Sequence, residues 1–205
     1  MTAQTLSEWL AERQAASSMT TDTLPLGELV QWETTSDMVR RRAGGFYQVI
    51  GVDVKVPREG QREVMGWDQP MIQDLSGPGV IILVVDTDDR VLVHAKAEPG
   101  NASSGCVLLA AAIQTSLANL NQAHGGRKPP FSELLGGNLC LTRQTEDGGR
   151  FYKKVNHYGW VEVNASQVTL TEDHRWVSLN ELKQAVRDGH ANCHLRTALL
   201  GYLLR

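Results

Sequence analysis

Val80-Ile81-Ile82-Leu83-Val84-Val85, then Asp86-Thr87-Asp88-Asp89, then Arg90-Val91-Leu92-Val93-His94-Ala95-Lys96, is the stretch that decides the fold. Two runs rich in β-branched residues around a polar turn read as a hairpin. The first run is apolar on both faces and suits a central strand. The second turns Val91, Val93 and Ala95 inward and reads as its half-exposed neighbour. Upstream, Phe46, Ile50, Val52, Val54 and Val56 alternate with Tyr47, Val49, Gly51, Asp53 and Lys55, a period of two that Pro57 closes. Downstream, residues 106–122 read two ways. Leu109, Ile113, Leu117 and Leu120 make a helical stripe and the alanines favour helix, but a strand fits as well. Residues 150–155 and 160–163 read as extended, with His157-Tyr158-Gly159 as the turn between them.

Both ends of the chain read as helical. Thr5 stands three residues before Glu8, a capping-box spacing, with Leu6, Trp9, Leu10 and Arg13 at helical intervals and a small, polar loop from Ala15 to Pro25. Ser178 and Glu181 form a second capping box, and Asp188-Gly189 stops that helix. A last helix runs from about Asn192, with Leu195, Leu199 and Leu203 on one face. No repeat or Pro-rich linker divides the chain. The expectation is one α+β domain over 1–205, with 1–25 as N-terminal helix and loop and 178–205 as C-terminal helices.

The chain has 205 residues, 20 Lys+Arg against 23 Asp+Glu, and 41% hydrophobic residues. That balance argues against nucleic acid as a partner and against disorder. Cys106, Cys140 and Cys193 are odd in number and widely spaced, which fits neither a disulfide framework nor a zinc site. They read as inert and buried. The N-terminal residues lack the apolar core of a signal peptide, and Val80–Val85 is far short of the roughly 18 residues a membrane span needs. A soluble, cytoplasmic protein is expected.

Four polar clusters carry chemistry. In His94-Ala95-Lys96-Ala97-Glu98-Pro99-Gly100-Asn101, strand alternation puts His94, Lys96 and Glu98 on one side. On a solvent face they are a solvated edge; in a cleft, Lys96 stabilises negative charge and Glu98 or His94 moves protons. Gln144-Thr145-Glu146-Asp147-Gly148-Gly149-Arg150-Phe151-Tyr152 reads as a hairpin turn with an ion pair, or as a loop bringing Glu146, Arg150 and Tyr152 to a site rim. His124-Gly125-Gly126-Arg127-Lys128-Pro129-Pro130 has the glycines and cations to meet a phosphate. Trp67-Asp68-Gln69-Pro70 offers a ring for stacking, or a core residue.

In this order the clusters resemble the NDP-hexose 2,3-dehydratase family of deoxysugar biosynthesis. The resemblance is carried by Glu63–Ile72, Ala95–Asn101, Gln114-Thr115-Ser116-Leu117-Ala118-Asn119 with His124-Gly125-Gly126, and Gln144–Tyr152, and extends from about Trp32 to the C-terminal helices. It implies a Nudix-like mixed sheet flanked by helices; this sequence has no stretch like the Glu-rich, magnesium-binding helix of Nudix hydrolases, which disfavours pyrophosphate hydrolysis. It implies a dTDP-4-keto-6-deoxyhexose as substrate, a lyase reaction, no metal or redox cofactor, and a setting in antibiotic and other natural-product pathways. Glu98, Lys96, Glu146 and Tyr152 become the expected catalytic residues. Trp67, Gln69, His94, Gln114, Asn119, His124, Gln144 and Arg150 become the expected substrate contacts. Family chains carry two such modules in tandem, so this single module is expected to form a homodimer. Where the family has His-x-Ser-Gly, this chain has Arg41-Arg42-Ala43-Gly44. A family member repurposed for cyclisation or isomerisation, and a non-catalytic binding partner, are the alternative readings.

Overall fold

The computed structural model describes residues 4–60, 62–123 and 125–205. Helix α1 (Leu6–Ala16) opens on the expected capping box: the Glu8 N–H donates to the Thr5 hydroxyl, and the Thr5 N–H donates to the Glu8 carboxylate. Four strands follow as an antiparallel meander: β1 (Trp32–Thr34), β2 (Met38–Arg41), β3 (Tyr47–Lys55) and β4 (Gly66–Asp74). The alternation read for β3 holds from Ile50 onward, with Ile50, Val52 and Val54 half-buried and Gly51, Asp53 and Lys55 exposed, while Val49 is half-buried and Phe46 exposed against it.

The larger sheet has seven strands. β5 (Gly79–Asp86) and β6 (Val91–Ala97) form the expected hairpin, paired at Val84↔Leu92 and Val85↔Val91. They then part. β7 (Val107–Ala111) continues along β6, and β8 (Ile113–Thr115) continues along β5. A one-turn helix α2 (Leu117–Leu120) comes next, then β9 (Cys140–Thr145) and β10 (Val155–Val163). β10 lies parallel to β5 and antiparallel to β9, and β11 (His174–Val177) closes the far edge on β6. Helices α3 (Leu179–Arg187) and α4 (Cys193–Leu203) end the chain. The sheet is mixed and flanked by helices, as expected. Among the described residues no helix is long and apolar enough to cross a membrane.

Apolar side chains cover both faces of the larger sheet. Leu83, Val91, Val93, Leu109 and Val177 pack with Leu182 of α3, Leu195 of α4 and Trp9 of α1. Ile82, Val84, Leu92 and Ile113 pack with Phe131 and the following chain. Each such side chain, fully buried, stabilises the fold by about 1.5–3 kcal/mol.

Several expectations are corrected. Residues 106–122 are strands before they are helix, because alanine's helix propensity is small against ladder pairing that buries Ala110, Ala111, Ala112 and Ile113. His157-Tyr158-Gly159 is mid-strand rather than turn. Gly159 is required there by the neighbouring strand, since a Cβ would stand 2.0 Å from the Cys140 carbonyl oxygen. β6 is not half-exposed, for Leu92 is buried under the second core. Leu203 faces solvent past the end of the core, while Leu195 and Leu199 are buried. Cys140 and Cys193 are exposed and Cys106 half-buried, so the thiols are free but not core.

Candidate functional site

A cavity of about 220 Å³ lies where β5 and β10 begin and β6 and β8 end. Strand parity sets its first wall. Lys96 is the last residue but one of β6, and Glu98 follows the strand, its N–H held by the Cys106 carbonyl at 3.0 Å. The Lys96 ammonium meets Glu98 Oε1 at 2.9 Å and also donates to the Gln114 carbonyl at 3.3 Å. The Gln114 side-chain amide donates to the same Glu98 oxygen at 3.3 Å. Behind them stands Asn192, the N-cap of α4. Its Oδ1 accepts from Leu195 N–H at 2.9 Å, while its Nδ2 donates to Gln114 Oε1 at 3.0 Å and reaches Glu98 Oε2 at 3.5 Å.

The opposite wall is built on β10. Asn156 is buried, with Oδ1 accepting from the Gly79 N–H at 3.0 Å and Nδ2 donating to Glu146. Tyr158, two residues on and buried, bonds through its hydroxyl to His194 Nδ1 at 2.8 Å. Burial, with the Glu146 charge adding to it, pushes the Tyr158 phenol up to about 12, so it keeps its proton at neutral pH. The same two causes push up the Cys193 thiol. A third side is the Asp74–Lys154 pair at 2.6 Å, with Lys154 also donating to the Gly77 carbonyl. Burial acts to raise the Asp74 carboxyl, but Lys154 and the Ser76 donors outweigh it and hold it below the usual range.

A second cavity of about 210 Å³ shares Lys96, Gln114, Thr115 and Asn119 with the first and is closed by Arg127 and Pro130. His94 borders it, stacked on His174 at 4.3 Å. Burial, then the charges of His174 and Lys96, push His94 down to about 3, and burial pushes His174 down to about 4; both rings are neutral at pH 7. Among the described residues, no group of three or more His, Cys, Asp or Glu is arranged to hold a metal ion.

Of the expected site residues, Lys96, Gln114, Asn119 and Glu146 border the first cavity, Glu98 is tied to two of them, and His94 borders the second. Five lie elsewhere. Trp67 and Gln69 bond to each other on β4, and Gln69 also donates to the Gly149 carbonyl. Gln144 is exposed on β9, and Arg150 is exposed beside Asp147. Phe151 borders the cavity in place of Tyr152. Phe151 is held there by a single bridge to Ile72 between a turn and a bend, and Tyr152 is fixed by its N–H on the Ile72 carbonyl. His124 lies outside the described residues.

Asp74, Lys154, Asn156, Tyr158, Asn192 and His194 were missed from the sequence. Asn156 and Tyr158 were hidden by reading residues 157–159 as a turn. An asparagine on the core-facing side of an apolar strand was the available signal.

The family model described as NDP-hexose 2,3-dehydratase matches residues 3–201. A dTDP-4-dehydro-6-deoxy-alpha-D-glucopyranose 2,3-dehydratase from Saccharopolyspora spinosa is 29% identical over 201 residues, covering 93% of this chain and 40% of the relative. One of the same description from Streptomyces violaceoruber is 30% identical over 178 residues, covering 82% and 38%. The chain thus spans about two fifths of the length of these relatives. The crystal structure of an ADP compounds hydrolase overlays with a TM-score of 0.46 at 14% identity, covering 83% of this chain and 89% of that one.

Proposed function

Because this chain belongs to the NDP-hexose 2,3-dehydratase family, we propose that it is a lyase of deoxysugar biosynthesis that removes water from a dTDP-4-keto-6-deoxyhexose. The observation that supports this most is the pairing of Lys96 with Glu98 across from Glu146 at a cavity the size of a small ring, with the Asp74–Lys154 pair closing its third side. The two adjoining cavities together fall within the ~300–1,000 Å³ of small-molecule pockets.

The chemistry needs three things. The C4 ketone acidifies the C3 proton, so a base must take it; Glu98, held at the end of a strand, is that base. The charge that moves onto the C4 oxygen needs a cation, and Lys96 supplies it. As the C3–H electron pair forms the C2–C3 double bond, the C2–O bond breaks and the oxygen leaves with a proton as water. Glu146, oriented by Asn156, is the second proton carrier. The diphosphate fits the second cavity, where Gly126 and Arg127 meet His94 and Asn119.

The same reading includes pairing with a second copy. Leu200, Leu203 and Leu204 at the end of α4 are exposed, as are Phe46 and Tyr47 at β3, and they offer apolar surface for it. It also includes a reducing, cytoplasmic setting, consistent with three free cysteines. Incubation with dTDP-4-keto-6-deoxyglucose, followed by mass spectrometry for loss of one water, tests the reaction. Sedimentation at micromolar concentration tests the dimer, and a monomer removes it.

A further inference from the structure

His194 takes its place beside the cavity from two directions. It is the second residue of α4, and the helix is anchored at its N-cap by Asn192, whose amide also reaches the Glu98 wall. Its ring borders the cavity, and Nδ1 is occupied by the Tyr158 hydroxyl at 2.8 Å. Among the described residues no partner of Nε2 is present.

The direction of that last bond follows from which groups must donate. The Gly79 N–H can only donate, so the Asn156 atom facing it is the carbonyl oxygen, Oδ1. The other end of Asn156 is therefore its NH₂ group, which gives one hydrogen to Glu146. Tyr158 lies two residues further along the same face of β10. Burial keeps its phenol protonated, and among the described residues His194 Nδ1 is the acceptor within reach of that proton. A neutral imidazole that accepts at Nδ1 carries its hydrogen on Nε2.

We propose that His194 presents a neutral Nε2–H to the cavity as a hydrogen-bond donor to the ketone oxygen of the sugar, and that Tyr158 is the positioning group that fixes this tautomer. The inference rests on the keto-sugar reading above. A neutral donor suits that task. It strengthens its bond as charge builds on the oxygen, and it does not protonate the neighbouring Glu146 or compete with Lys96 for the carboxylates. No proton is transferred by His194 in this role: the ring enters and leaves the step with its hydrogen on Nε2.

The test reads the tautomer and the turnover separately. In protein labelled with ¹⁵N-histidine, long-range ¹H–¹⁵N correlation at neutral pH, assigned with His194→Gln, is expected to show His194 with its hydrogen on Nε2. Tyr158→Phe is expected to make it a mixture of tautomers. On turnover, His194→Ala is expected to lower kcat by about 10²–10³-fold, the loss typical of one oxyanion donor, with KM moved by a few-fold only. His194→Gln, which keeps an N–H donor, is expected to recover part of that loss, and Tyr158→Phe to cost about 10-fold. A hydrogen on Nδ1 or an imidazolium in the native chain overturns the inference, as does normal kcat in His194→Ala. If the native chain releases no water from the keto-sugar, the proposed reaction falls. The tautomer and its response to Tyr158→Phe then decide the donor arrangement by themselves.

Discussion

The two walls of the cavity solve opposite problems. On the β6 side, Lys96 and Glu98 hold full charges 2.9 Å apart, with a quarter and a third of their side chains exposed. On the β10 side, Asn156 and Tyr158 are buried, the amide oriented by one backbone N–H and the phenol by the His194 ring. A partly hydrated ion pair contributes little to folding, about 0–1 kcal/mol, so its charges stay available to a substrate. A buried amide left without partners costs about 1–3 kcal/mol, so the network around Asn156 is one the fold itself must keep intact. Charge is placed where water can still reach it, and geometry is fixed where water cannot.

That contrast predicts which substitutions change rate and which change stability. The largest effect is expected from Glu98→Gln, which keeps shape but cannot carry a proton: kcat should fall about 10²–10⁴-fold, with melting and dTDP binding nearly unchanged. Early melting with normal turnover would reverse the assignment, making Glu98 structural and leaving Glu146 as the base. Asn156→Ala strips partners from the Gly79 N–H and from Glu146, and should destabilise by about 2–3 kcal/mol in urea titration. A value near zero would mean that the β10 wall is no more constrained than the β6 wall.

Lys154→Met, on the third side, should cost about 2 kcal/mol at pH 7, because Asp74 keeps its charge with only the Ser76 donors left. The folded carboxyl titrates below its ordinary value. Its stabilising contribution is therefore complete above the unfolded value near 3.8 and fades as pH falls through the folded one. The deficit of Lys154→Met should thus shrink below about pH 4. A deficit that stays constant down to pH 3 would show that the lost interaction is packing. The smallest effect is expected from Lys96→Met, under about 1 kcal/mol in stability, alongside a loss of turnover. Chemical denaturation and a rate assay on the same preparation check both halves.

Much of this was legible in residue order. Capping boxes announce α1 and α3 because their donors and acceptors are three residues apart, within reach of local geometry alone. The β5–β6 hairpin and the shared side of Lys96 and Glu98 follow from a period of two, equally local. What local order could not supply was which polar residues meet. Trp67, Gln69, Gln144, Arg150 and Tyr152 stand in equally polar stretches, yet the placement of β4, of β9 and of the turn after it keeps them off the cavity, and Phe151 rather than Tyr152 borders it.

Residues 107–111 and 113–115 form strands because β5 and β6 part after two pairs and leave edges to be filled, a fact of the sheet rather than of the segment. His194 joins the cavity because α4 packs across β10 and brings its first turn against Tyr158, although the two residues are 36 positions apart. The sequence by itself determined the capped helices, the β5–β6 hairpin, the charge-bearing strand end and the family, since each is written in short runs of residues. The tertiary structure alone decided the β10 wall and its donor chain, because a hydrogen-bond direction exists only once the partner from another element is in place.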